Sequence, residues 1–370
     1  MNQEKFGLSV EQVEILYNIE CQKALNDIRN SIEPIKTLKK EWLAEWKLYM
    51  EKGFPQFVGS EDVKMNWYDR IELLNKIKDL NAKEVWYRLV LLETMIFEPY
   101  FALSTEKNKK GDEVPSKKYD ELKKMFNKFD HYLGDIFLDN VFVINEEYNY
   151  ISRLRDSYKK ATKELNETLK KNLKTLAIMA GVSVTFVATA GILSGPIAVA
   201  LVGSEFAGLS GAALTSACLA YLGGGAVAAG GAGMLGGTVA IVGGGAVLGG
   251  AVGAGAGAGA VISGISDISK DTTIAQSAKL MVSIKEIFLN DEKDIAFSNS
   301  VYEEYVNNIR DLEKKLVDLK LKENNMNDTE KDKMKVEIMN LEDSVHAMKI
   351  AMNSMNRFKS AFEIGLSEEQ

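Results

Sequence analysis

The chain has 370 residues, a net charge of −7, two cysteines and two histidines, which gives room for two or three domains and excludes a disulfide scaffold or a Cys/His zinc centre. The charge is uneven: residues 1–174 sum to zero, Glu205 stands alone, and residues 267–370 sum to −6. That balance argues against duplex nucleic acid as a partner, because phosphate binding draws on an excess of Lys and Arg.

The start, MNQEKFGLSVEQVEILYN, has no apolar run behind a basic segment, so it does not read as a secretory signal and a cytoplasmic origin is expected. Cys21 in a polar helix and Cys218 in an apolar stretch fit a reducing compartment. From Ser9 to about Met50 the residues Val13, Leu16, Tyr17, Ile28, Ile32, Leu38, Trp42 and Trp46 fall at helical spacings. Pro34 predicts a kink or a break between two helices, and Trp42 and Trp46, one turn apart, read as core anchors rather than a ligand cage.

Gly53, Phe54, Pro55 and Gly59 predict a turn, and Ser60 before Glu61 and Asp62 predicts a helix start. That helix is expected to run through Ile71, Leu74, Ile77, Leu80, Val85, Leu89, Leu92 and Ile96 to Pro99. The charged run Lys107 to Ser116 predicts a loop open to proteolysis. A short helix from Lys118 to about Asn127 would carry Tyr119, Leu122, Met125, Phe126 and Phe129. The β-branched and aromatic stretch Tyr132 to Ile144 allows a short strand, although no strand partner is evident. From Asn145 a long helix carries the basic stem: Arg153, Arg155, Lys159, Lys160, Lys163, Lys170, Lys171 and Lys174.

The stem leads into the most informative stretch, the 92 residues from Thr175 to Ser266, in which Glu205 is the one charged side chain. About 20 apolar residues span a bilayer, so the part before Glu205 and the longer part after it each suffice. A carboxylate is costly at the bilayer centre and cheap at an interface. Glu205 therefore marks the outer turn of a hairpin or, alternatively, a ring of charge in a cation pore. The hairpin puts both soluble parts on one side, and the basic stem makes that side cytoplasmic.

Of the 30 glycines, 21 lie between Gly203 and Gly264. Gly245, Gly249, Gly253 and Gly257 recur every four residues, and Gly233 and Gly237 begin a similar ridge. Small residues at that spacing let helix backbones meet in lipid. Glycine also weakens a helix by about 1 kcal/mol relative to Ala, so the ridge suits a segment that repacks as well as a fixed anchor.

Beyond Asp267, Tyr305, Ile309, Leu312, Leu316 and Leu319 follow 4-3-4-3 spacing, as do Met334, Ile338, Leu341, Val345, Met348, Met352 and Met355. The interruption ENNMNDTE holds Asn327 and, three residues on, Glu330, a helix-start pattern. An antiparallel helical hairpin is expected, packing on other helices or self-associating as a coiled coil. The expected fold class is all-α, a long-helix bundle with a central Gly/Ala-rich transmembrane hairpin and a C-terminal antiparallel helical hairpin. Its parts are residues 1–174, 175–266 and 267–370.

Catalytic machinery is not expected. Gly231, Gly233 and Gly236 spell G-x-G-x-x-G, but no strand precedes them and such matches arise by chance in Gly-rich sequence. His131 and His346 belong to no metal or nucleophile pattern. No cofactor and no metal is called for. The basic stem suits anionic headgroups, with a nucleotide or oligonucleotide ligand as the alternative. The neutral N-terminal body suits a regulatory protein or such a ligand.

Long helices around an apolar hairpin resemble the α-helical pore-forming toxins of the cytolysin A and haemolysin BL type. A cytoplasmic version, with the glycine-rich run LGGGAVAAGGAGMLGG at residues 222–237, resembles the membrane effectors of bacterial anti-phage defence of the Hailong type. The resemblance implies a homo-oligomer that opens a pore in the bacterial inner membrane under control of a partner, soluble before insertion or resident there. A non-conducting anchored scaffold remains the alternative.

Overall fold

The computed structural model describes residues 10–58, 64–81, 83–107, 109, 113–144, 148–172, 270–323 and 328–368. The described chain is mostly helical and forms two compact units. The first takes described residues up to Arg155, and the second takes those from Asp156 to Asn172 and from Lys270 onward. Among the described residues no helix is long and apolar enough to cross a membrane.

The first unit is built on α1 (Val10–Arg29), α2 (Ile35–Val58), α3 (Arg70–Asp79), α4 (Val85–Ile96) and α5 (His131–Val141). A two-stranded antiparallel hairpin, β1 (Thr105–Lys107) with β2 (Glu113–Pro115), accompanies them. Helix α6 (Tyr150–Asn172) gives its first residues to this unit and the rest to the second. The α1 to α2 break falls at Pro34, as its ring dictates. Trp42 and Trp46 are buried, with ring centroids 5.9 Å apart, and Tyr100 and Phe101 meet the Trp42 edge at 5.3 Å. The indole N–H of Trp42 donates to the Phe101 carbonyl at 2.8 Å.

Five sequence expectations are corrected here. Helix α2 continues through Gly53 and Pro55 to Val58, where a turn was expected. The next helix begins at Arg70, because side chains of α1 occupy the backbone of residues 66–68. Asn66 N–H donates to Glu14 Oε1 at 2.8 Å, Tyr68 N–H to Asn18 Oδ1 at 2.7 Å, and Gln22 Nε2 donates to the Tyr68 carbonyl at 3.1 Å. Asp69 then caps α3, accepting from the N–H groups of Ile71 and Glu72, while Glu72 returns a bond to the Asp69 N–H.

The single helix expected over Ile71 to Ile96 is two, parted at Asn81, whose φ of 56° is the left-handed conformation that Asn tolerates. The segment from Lys118 makes only a 3₁₀ turn, Asp120–Lys123, burying Tyr119 and Leu122 while Met125 and Phe126 face out. The stretch allowed as a strand from Tyr132 is helix α5, capped by Asp130, which accepts from the Leu133 N–H at 3.1 Å.

The second unit contains the rest of α6, α7 (Lys270–Val282), a π-helical segment (Ser283–Asp291), α8 (Ile295–Glu323) and α9 (Asp328–Glu368). Helices α8 and α9 pack along each other. Tyr305, Ile309, Leu319, Ile338, Leu341, Val345, Met348 and Met355 are buried, Leu316, Met334 and Met352 half-buried. The register is fixed by charge pairs: Lys320 meets Glu342 at 2.6 Å and Glu313 meets Lys349 at 2.5 Å. Seven residues back along α8 are seven forward along α9, so the pair is antiparallel without slippage. Leu312 has its side chain outside the described set.

Candidate functional site: the flanks of the apolar insertion

Helix α6 precedes the apolar block and α7 follows it, and the two flanks belong to one unit. Ser157 Oγ on α6 donates to Glu286 Oε1 in the π-helical segment at 2.8 Å, across 129 residues of sequence. Glu286 is 3% exposed, a costly place for a carboxylate. Its oxygens are nonetheless served, Oε1 also by Lys285 Nζ at 2.7 Å and Oε2 by Asn290 Nδ2 at 3.1 Å. Burial alone would raise the Glu286 carboxyl; the bonds from Lys285 and Ser157 and the Lys285 charge outweigh it and hold the group below its ordinary value.

The π-helical winding places these groups. Glu292 N–H donates to the Ile287 carbonyl at 2.9 Å, a five-residue step, and an extra residue per turn re-aims the side chains along it. About two turns further along α6, Glu164 accepts from Ser354 Oγ at 2.6 Å and from the Arg357 guanidinium of α9. Helix α6 is therefore held by polar bonds to the π-helical segment and to α9.

The basic stem divides by face. The stripe Ile151, Leu154, Ala161 and Leu165 is buried, and Lys159, Lys160 and Lys163 are exposed, Lys163 lying 3.7 Å from Glu167. Arg153 is half-buried over the Tyr150 ring at 4.9 Å. Arg155, read from the sequence as a headgroup or ligand contact, is buried. It is 8% exposed, and its Nε and Nη2 grip Asp135 in a bidentate pair at 2.8 Å each. Its position continues the buried face of α6. Lys170 and Lys171 lie in α6 with side chains outside the described set. Lys174, Glu205 and the ridge Gly233, Gly237, Gly245, Gly249, Gly253 and Gly257 lie outside the described residues.

Sequence reasoning passed over a second polar centre, Lys23, at the C-terminus of α4. Lys23 is fully buried, and its Nζ donates to the carbonyls of Thr94, Met95 and Phe97 at 2.6, 3.0 and 2.7 Å. These are the carbonyls a helix end leaves unpaired, and the helix dipole favours a cation there. The Phe129 ring lies 5.0 Å from Nζ. Arg155 Nη2 shares the Met95 carbonyl. Burial pushes Lys23 down to about 7, with Arg155 adding to the shift and Asp135, Glu20 and Glu98 opposing it. Lys23 one helical turn beyond Ile19 and two beyond Leu16 was the available signal, since a buried lysine demands partners.

Among the described residues no group of three or more His, Cys, Asp and Glu side chains is placed to hold a metal. Both polar centres are enclosed, and their hydrogen bonds join separate helical segments. No family model, curated protein or solved structure matches the chain.

Proposed function

We propose that the chain is a membrane effector: it inserts the apolar block Thr175 to Ser266 into the bacterial inner membrane, assembles through the glycine ridge and permeabilises the bilayer. The observation that carries this reading is the block itself, 92 residues with one charge between two helical, highly charged parts. The ridge Gly245, Gly249, Gly253 and Gly257 supplies a surface for close helix packing in lipid.

A second observation supports a hairpin-like insertion with both soluble parts on the cytoplasmic side. From Asp156 onward, α6 belongs with α7 to one unit, and the Ser157 to Glu286 bond ties α6 to the segment that continues α7. A block that leaves and re-enters the same unit crosses the membrane an even number of times. The exposed lysines 159, 160 and 163 of the stem suit the anionic cytoplasmic leaflet. Control falls to the N-terminal unit, through a regulatory protein or a nucleotide-like ligand whose affinity differs between closed and open states.

Potassium release from liposomes holding the purified full-length protein tests this function. Release is expected. Stable insertion with sealed liposomes would instead favour a membrane-anchored scaffold whose helical body recruits a partner.

A further inference from the structure

Among the described residues thirteen large apolar side chains stand exposed, and five of them, Met125, Phe126, Tyr132, Leu133 and Ile136, fall within twelve residues. Phe126 is 96% exposed and Met125 76%. Tyr132, Leu133 and Ile136 share the outer face of α5 by their spacing. A scattered apolar surface residue needs no explanation; a concentration of this kind marks a contact.

The chemistry around the patch selects the contact. Residues 123–128 read KKMFNK, so Met125 and Phe126 are flanked by Lys123, Lys124 and Lys128 with no acid between. All three lysines are exposed. Asp120 pairs with Lys123 at 2.8 Å, Glu121 with Lys124 and Glu45 with Lys118 at 2.5 Å, which lowers the local charge without reversing it. From Lys117 to Asp130 five lysines face three acids, in a chain whose net charge is −7. Apolar tips within a cationic rim are the pattern of an interfacial anchor, the tips entering the acyl boundary while the ammonium groups stay among the headgroups. A protein partner for a basic apolar patch would be acidic, and the acidic C-terminal third of a second copy is the alternative occupant that the test must separate.

The base of the patch is rigid. Phe129 is 2% exposed, and a Cβ added at Gly134 would stand 2.5 Å from Phe129 Cζ, so α5 and the 125–129 turn are locked together. Rigid presentation lowers the ordering cost of docking.

We infer that the Met125 to Ile136 surface of the N-terminal unit docks onto an anionic bilayer face, with Met125 and Phe126 inserted at headgroup depth. The inference rests on the proposed membrane function, and adds a peripheral contact made by the soluble body beside the inserting block.

Spin labels separate the two. The native Cys218 reports the block; Met125→Cys in a Cys218→Ser background reports the patch, since Cys21 is buried and its thiol is pushed up to about 11 by burial. Full-length protein is mixed with vesicles of phosphatidylcholine alone or with phosphatidylglycerol added. The label at 125 is expected to lose collisions with a water-soluble nickel chelate and gain them with oxygen only when phosphatidylglycerol is present. Replacing Lys123, Lys124 and Lys128 by Gln should abolish that change, and a label at Ile32, exposed but isolated, should stay in water.

A label at 125 that stays wet while 218 is immersed overturns the docking surface and leaves the membrane function standing. Both labels wet sinks both. Immersion at 125 with 218 wet supports docking and overturns insertion of the block. Spin-spin broadening at 125 without vesicles assigns the patch to a second copy and overturns docking on lipid.

Discussion

Ser157 and Glu286 are joined by a 2.8 Å hydrogen bond that closes a loop of 129 residues, and that loop contains the whole apolar block. The bond is buried and its acceptor is ionised, the class of hydrogen bond worth most to stability. Ser157→Ala should cost about 1 kcal/mol, and Glu286→Ala about 3 kcal/mol because Ser157 and Asn290 then lose their acceptor. Glu286→Gln, which keeps an acceptor oxygen, should fall between them. All four tryptophans, 42, 46, 67 and 86, lie in the first unit. Helical circular dichroism should therefore register the loss in denaturant while tryptophan fluorescence does not; an unchanged midpoint for Glu286→Ala would remove the bond from the account.

The proposed even number of crossings makes a second prediction. Cysteines placed at Lys110 and Lys320 should both resist a membrane-impermeant maleimide applied to intact cells, and both react once the cells are opened. Modification of one alone from outside requires an odd number of crossings and contradicts an insertion whose two ends are held by one unit.

Much of the helical class was legible because it rests on periodicity. The 4-3-4-3 stripes marked the apolar faces of two helices, and most of their described residues are buried in α8 and α9. Trp42 and Trp46 were legible as core for the same reason. The errors lie where polar side chains serve another segment's backbone, which carries no period. Glu14, Asn18 and Gln22 hold residues 66–68 out of a helix, although the pair Asp69 and Glu72 was a readable capping box. Asp130 ahead of Leu133 was the same kind of signal for α5. Arg155 read as surface because its partner, Asp135, is 20 residues away on another helix.

Lys23 makes a pH prediction. Its folded pKa is about 7 against about 10.4 in an unfolded chain, so between these values the unfolded state binds the extra proton. Stability then rises with pH across that window, and the penalty of the buried cation is fully felt below pH 7. Lys23→Met removes this dependence but orphans three carbonyls, costing about 2 to 4 kcal/mol at pH 7. Denaturation followed by tryptophan fluorescence at pH 7 and pH 9 should show wild-type protein gaining on the variant. A constant difference would mean that the three carbonyls keep Lys23 protonated throughout.

Gly134 offers a packing test. Alanine there gains up to about 1 kcal/mol of helix propensity, but its methyl would meet Phe129 Cζ at 2.5 Å and Lys23 Cε at 3.3 Å. Overpacking of this kind costs about 1 to 3 kcal/mol, so Gly134→Ala should be net destabilising. Phe129→Leu in the same chain should recover part of the loss; a stabilised Gly134→Ala would show that the turn gives way freely.

Electrical recording across a planar bilayer tests most directly whether the apolar block forms a conducting assembly through its glycine ridge. Full-length protein should produce discrete conductance steps, and Gly249→Leu with Gly253→Leu should insert to the same extent while the steps disappear, because bulk then stands where backbones must meet. Steps undiminished in that variant, or a silent bilayer that holds inserted wild-type protein, would contradict it.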